Sequence, residues 1–247
     1  MDLVTVRQIE PGIFLLTIDD AVHTNRLSDE LCDQLLTAFD VLAHEPALKV
    51  LLLAGRKDVF CAGATREAID RVVTGDLKIK DLLLAQAVLD FPLPTLGVLE
   101  GHAVGGGLAL ALCCDLTVAA RDKRYGMNFT RMGFTPAMGV TGLLPLVAGD
   151  HFASEMIVTG RFYRGVELEA RGFFNHVVGA EEVFDVAMDL VRRIAEQPRQ
   201  VLASVKHGLA GRRRQRRVAA MAREHLMHAI CFNQPEVRTL LSDAYLD

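Results

Sequence analysis

A chain of 247 residues that is 51% hydrophobic can build one large core without disulfide or metal staples. Its 27 basic and 31 acidic side chains leave a formal net charge of −4, which gives no overall basic field to attract nucleic acid. The five cysteines form no C-x-x-C pair, and Cys61, Cys113 and Cys114 lie in apolar runs, a pattern that predicts reduced thiols and a cytoplasmic protein. The start, Met1-Asp-Leu-Val4, does not read as a signal peptide, and no apolar run is long enough to span a bilayer.

Residues 3–7 and 12–19 read as short strands with Pro11-Gly12 as their turn. Residues 27–44 show helical spacing, with Leu31, Leu35, Phe39 and Leu42 on one face and Ser28 as the cap. The run 49–55 is continuously apolar, as a strand covered on both faces requires, and 96–100 and 116–120 are similar. Helical segments at about 81–90 and 105–113 precede the last two strands, so the alternation predicts an α/β fold with a mostly parallel sheet. Helices are expected to begin at Thr141 and Ser154, and 180–197 reads as a long amphipathic helix ended by Pro198. Strand signals stop near 195–200. The sequence therefore divides into a core of residues 1–195 and a helical C-terminal region, 196–247.

Two loops carry the chemistry. One is Phe60-Cys-Ala-Gly-Ala-Thr65, after the strand at 49–54; the other is Gly105-Gly-Gly107, after the strand at 96–100. Loops at the carboxyl ends of parallel strands converge on one crevice. Small residues there let two backbone N–H groups approach one carbonyl oxygen, an arrangement worth roughly 3–4 kcal/mol of transition-state stabilisation per donor. The plainer reading is that the glycines only permit tight turns.

Phe60-Cys-Ala-Gly-Ala64, Gly101-His-Ala-Val-Gly-Gly-Gly107, Asp115 and Gly133-Phe-Thr-Pro-Ala-Met-Gly139 together resemble the crotonase (enoyl-CoA hydratase/isomerase) superfamily over nearly the whole chain. The resemblance implies a spiral of ββα turns with a C-terminal helical region for trimerisation or a lid, a homotrimer or dimer of trimers, and a thioester substrate. It assigns the oxyanion-hole donors to the N–H groups of Ala64 and Gly106, with Ala62 and Gly105 beside them. Water-adding members use two glutamates, and the matching positions here are Ala109 and Phe129, neither of which can accept a proton. A reaction that makes its own enolate by losing CO2 needs no such base.

Residues 128–139, 163–172 and 227–237 are similar to the second crotonase-like enzyme of polyketide β-branching cassettes, found in antibiotic biosynthesis. That likeness implies a decarboxylase, a carbon–carbon lyase, which converts a 3-methylglutaconyl group on an acyl carrier protein into a 3-methylcrotonyl-type thioester. No cofactor is implied beyond the phosphopantetheine arm that carries the substrate. The catalytic pair it implies is Lys78 and His228, with Lys80 as a rival and Val72 at the place where some members carry the lysine. An imidazole is suited to supply the proton, because that side-chain type titrates near neutrality. Phe129, Phe134 and Met138 are expected to wall the pocket and exclude water. Tyr125 is expected to touch substrate or to pack beneath it, and His102 to hydrogen-bond backbone.

The cluster Arg212-Arg-Arg-Gln-Arg-Arg217 reads either as a patch that steers an acidic carrier protein or as a solvated helix face or subunit contact. The rival functions are a coenzyme A-dependent hydratase or isomerase using relocated acids such as Glu67 or Asp70, and a non-catalytic RNA-binding or scaffold homologue. The acidic net charge and the lack of interleaved aromatics speak against nucleic acid.

Overall fold

The computed structural model describes residues 2–73, 80–232 and 234–243. The chain opens with an antiparallel hairpin of β1 (Val4–Glu10) and β2 (Ile13–Ile18). Helix α1 (Asp29–Ala43) starts where the Ser28 hydroxyl accepts the Leu31 N–H (3.2 Å). It buries Leu31, Leu35, Phe39 and Leu42, the stripe its 3.6-residue period predicts. The chain then runs through β3 (Val50–Ala54), β4 (Val59–Cys61), α2 (Arg66–Val73) and α3 (Lys80–Asp90). Next come β5 (Thr95–Leu99), β6 (His102–Val104) and α4 (Gly106–Cys113), followed by β7 (Leu116–Ala120) and β8 (Arg124–Gly126). Helices α5 (Val140–Ala148) and α6 (Asp150–Thr159) lead to β9 (Tyr163–Arg164), α7 (Gly165–Glu169) and β10 (His176–Val178). The end is helical: α8 (Val183–Ala195), α9 (Arg199–Cys231) and α10 (Pro235–Asp243).

One sheet has the order β1-β2-β3-β5-β7-β10 and is parallel beyond the hairpin. The second has the order β4-β6-β8-β9 and is parallel as far as β8. Each turn of the chain lays one strand in the first sheet and one in the second before its helix, as in β3-β4-α2, β5-β6-α4 and β7-β8-α5. This is the ββα spiral implied by the sequence resemblance. Strand β3 is covered on both faces. Leu51 and Leu53 enter the main core with Leu99 and Tyr125, while Val50 and Leu52 meet Val183, Ala187 and Val191 of α8.

The helix predicted over 180–197 begins instead with a 3-10 turn, Ala180–Glu182, where the Glu182 carboxylate accepts the Gly179 N–H (3.0 Å). Helix α9 packs on α5 and α3. Its inward face buries Lys206, Arg217, Glu224 and His228 beside the small Ala210 and Ala220, while Val201, Val205, Leu209, Val218, Leu226 and Ile230 are exposed. No described helix is long and apolar enough to cross a membrane.

Candidate active site at the head of helix α4

Gly105 takes φ +53° and ψ −120° at the turn from β6 into α4, where an L side chain is strained and a Cβ would meet Asn128 Oδ1 at 3.0 Å. Gly107 packs on β4 so closely that a Cβ would lie 2.2 Å from the Cys61 carbonyl oxygen. These constraints seat α4 on the loop that follows β4. The Cβ position of Gly106 lies 3.9 Å from Gly63 Cα, and that of Gly63 lies 3.6 Å from the Gly106 nitrogen. The two loops singled out in the sequence are therefore in contact.

Leu27 fastens the first loop from its other side. Its N–H donates to the Gly63 carbonyl (2.7 Å), and its carbonyl accepts the Thr65 N–H (3.5 Å). In a parallel bridge of this register the N–H of the middle residue, Ala64, points away from Leu27. Gly106 is the first residue of α4, so its N–H has no acceptor within the helix, and the positive end of the helix dipole lies there. At the opposite end of α4, Arg213 donates to the Leu112 and Cys114 carbonyls, and Lys206 Nζ lies 2.5 Å from Asp115. Burial pulls the Lys206 ammonium below the usual lysine value, with Asp115 pushing back.

The walls are apolar. Met138 Sδ and Leu27 Cδ1 lie 3.3 and 3.4 Å from the Cβ position of Gly106, and the Phe129 ring lies 4.0 Å from that of Gly105. Met138 is buried at φ +64°, a conformation that costs a non-glycine residue about 1–3 kcal/mol. Aromatic contacts link Phe129 to Phe134 (5.6 Å), Phe134 to Phe232 (6.2 Å) and Phe232 to His228 (5.3 Å). Ala64 packs in a small cluster with Ile69, Phe232, Met132, Phe134 and Val237, so α9 and α10 help close this region. His228 Nε2 lies 3.0 Å from the Thr135 carbonyl oxygen. A carbonyl only accepts, so Nε2 is the donor in this contact.

The structure thus brings together Ala64, Gly105, Gly106, Phe129, Phe134, Met138 and, through Phe232, His228. Ala62 is half-buried directly after β4. Lys78 lies outside the described residues, as does the side chain of Lys80. Tyr125 belongs to the packing beneath the site and not to its wall. Its ring is fully buried against Phe174, and its hydroxyl donates toward the Leu99 and Ala120 carbonyls (3.2 and 3.1 Å) and accepts the Ala120 N–H (3.0 Å). Strand alternation in β8 turns it toward the first sheet. Burial raises its hydroxyl pKa well above the usual tyrosine value. His102 accepts the Arg124 N–H on Nδ1 (2.8 Å), the backbone role expected of it, and burial holds its pKa below the usual histidine value.

Ala109 and Phe129 are buried and offer no carboxylate. Glu67 and Asp70 are exposed. Hydrogen bonds from its own backbone and from Thr65 lower the Glu67 pKa, and Asp70 lies 3.7 Å from Arg66. Glu224 is buried close by, but both its oxygens accept hydrogen bonds from Gly139 and Thr141. Sequence reasoning overlooked this residue and Asn128, whose amide lies at the Gly105 turn and donates to Met132 Sδ (3.0 Å). The arginine cluster is mostly structural. Arg213 binds the end of α4, Arg214 reaches Asp90 (2.7 Å), and Arg217 is buried against Gly139, leaving Arg212 and Arg216 exposed.

A family model for enoyl-CoA hydratase/isomerase matches residues 8–246. The chain is 33% identical over 243 residues to the bacillaene synthase decarboxylase PksI of Bacillus subtilis (strain 168), covering 98% of each chain. It is 32% identical over 207 residues to human mitochondrial methylglutaconyl-CoA hydratase, covering 79% of this chain and 61% of that one. A solved structure from a dehydratase/decarboxylase enzyme couple involved in polyketide β-branching superposes with a TM-score of 0.94 at 32% identity, covering 99% of this chain and 100% of the other. The ECH2 decarboxylase domain of CurF from Lyngbya majuscula gives a TM-score of 0.92 with the same identity and coverage.

Proposed function

The chain belongs to the enoyl-CoA hydratase/isomerase family, and we propose that within it this protein is a decarboxylase acting on 3-methylglutaconyl-acyl-carrier-protein in polyketide β-branching. One observation carries the reading. The glycine turn and its apolar walls are present, while Ala109 and Phe129, the positions that the sequence resemblance matches to the glutamates of water-adding members, are buried and carry no carboxylate. Likeness to named decarboxylases over nearly the full length supports it.

The chemistry balances without an external base. The bond between the substrate's C4 and its carboxylate breaks and CO2 leaves. The electron pair moves through C4, C3 and C2 onto the thioester oxygen as a dienolate. The N–H groups of Ala64 and Gly106 are assigned to that oxygen, where charge develops and where fixed donors are most effective. His228, held through Nε2 by Thr135, is assigned to pass one proton, taken up from solvent, from Nδ1 to the dienolate carbon, giving a 3-methylcrotonyl-type thioester. Lys78 is assigned to orienting the departing carboxylate; a tighter grip would stabilise the ground state and slow its loss. Phe129, Phe134 and Met138 keep water from the dienolate. The phosphopantetheine arm arrives with the substrate, and the reaction calls for no metal or redox cofactor.

A homotrimer or dimer of trimers in the cytoplasm completes the reading. The exposed apolar rows on α9, and buried thiols at Cys32, Cys61, Cys113 and Cys114, suit it. The test is to incubate the protein with the carrier-bound and coenzyme A thioesters and follow product mass. Loss of one CO2 is expected. Gain of one water on either thioester would favour the hydratase reading, for which likeness to the human enzyme speaks.

A further inference from the structure

We infer that Glu224 is a positioning residue of the decarboxylation site, holding the strained Met138–Gly139 backbone so that the Met138 side chain stands against the Gly106 turn. The inference rests on the reading that this turn faces the reacting thioester. Met138 (φ +64°) and Gly139 (φ +81°) are consecutive left-handed residues directly before α5. A non-glycine residue stays in that region only where its surroundings over-determine it. Gly139 is the N-cap of α5 and has no side chain to cap it.

The cap comes from α9. Glu224 is 2% exposed; its Oε2 accepts the Gly139 N–H (2.8 Å), and its Oε1 accepts both the N–H and the hydroxyl of Thr141 (2.8 Å each). A carboxylate suits the positive end of a helix. One turn further along α9, His228 holds the Thr135 carbonyl. Helix α9 therefore grips the segment 135–141 at both ends, and Met138, with its sulfur 3.3 Å from the Gly106 Cβ position, lies between the two grips. Every hydrogen bond named for Glu224 goes to this segment, so it acts through Met138 and not on substrate.

The test uses the full-length protein with methionine ε-methyl groups labelled for NMR, the Met138 peak being assigned by Met138→Leu. In Glu224→Gln one acceptor becomes a donor facing an N–H. The Met138 peak is expected to move while those of Met156 and Met188, buried elsewhere, stay in place. The kcat for CO2 release is expected to fall about tenfold or more with KM within about threefold. An unmoved Met138 peak, or a loss of rate accounted for by unfolded protein alone, overturns the inference. Should Glu224→Gln fail to fold, Thr141→Val removes one donor and leaves the carboxylate; it must still move the Met138 peak, and an unmoved peak again overturns the inference. If the wild type releases no CO2, the decarboxylase reading falls, while the methyl peaks still decide whether Glu224 places Met138.

Discussion

Replacing Gly106 by proline and by alanine separates a lost hydrogen-bond donor from added bulk. Gly106 is the first helical residue of α4, a position that tolerates proline because its N–H has no partner within the helix. The preceding Gly105 has φ +53° and ψ −120°, the mirror image of the extended region that precedes proline and open to a glycine. Both variants add a Cβ that lies 3.3 Å from Met138 Sδ and 3.4 Å from Leu27 Cδ1, the flexible ends of two side chains that can give by a few tenths of an ångström. Gly106→Ala keeps the N–H and is expected to cost about 1 kcal/mol, less than a factor of ten in rate. Gly106→Pro also removes the donor, for a further ~3–4 kcal/mol, or roughly 10²–10³ in kcat. Single-turnover release of labelled CO2 from the carrier-bound substrate, with Tm measured alongside, reads the difference. Equal rates for the two variants would refute the assignment of the Gly106 N–H to the thioester oxygen.

Three other outcomes follow from the same geometry. His228→Ala should stay folded yet slow formation of the protonated 3-methylcrotonyl-type thioester by about 10² or more, as loss of a proton donor does, and an unchanged single-turnover rate of product formation would remove it from the mechanism. Gly107→Ala places a Cβ 2.2 Å from the Cys61 carbonyl, a backbone atom that cannot swing aside, so urea unfolding should show a loss of about 3 kcal/mol or more. The folded-state pKa of His102 is lowered, so the native protein binds fewer protons there than the unfolded chain. The stability this gives is present above the usual histidine value of about 6.5 and is lost as pH falls through the lower folded value. The Tm should fall on acidification below about 6.5, and by less in His102→Gln; an identical fall in both would contradict the role given to Nδ1.

All strands of the first sheet except the three-residue β10 announce themselves in sequence, because runs such as Val50–Ala54 are apolar on both faces. Those of the second do not. His102–Val104 and Arg124–Gly126 are three residues each, too short for alternation to register, and they are fixed by neighbours such as the Arg124–His102 hydrogen bond. The glycine loops pointed to the site because close backbone approach leaves few residue choices at Gly105 and Gly107. Helix α9 misleads for a physical reason. Most of its larger apolar side chains mark a face that stays exposed, while Arg213, Glu224 and His228 turn inward to carbonyls and N–H groups of segments 83 or more residues away. No local pattern in the sequence tells a capping glutamate from a solvated one. Tyr125 looked close to the site because it is four residues from Phe129, yet the alternation of β8 sends its ring into the core.

The central claim is that a thioester pocket stripped of water-activating acids performs decarboxylation. Running the reaction in 18O-labelled water and weighing the carrier-bound product tests this most directly. The account expects a product lighter by one CO2 with no 18O in its acyl chain. An acyl chain that keeps its carboxylate and gains an 18O hydroxyl would contradict it.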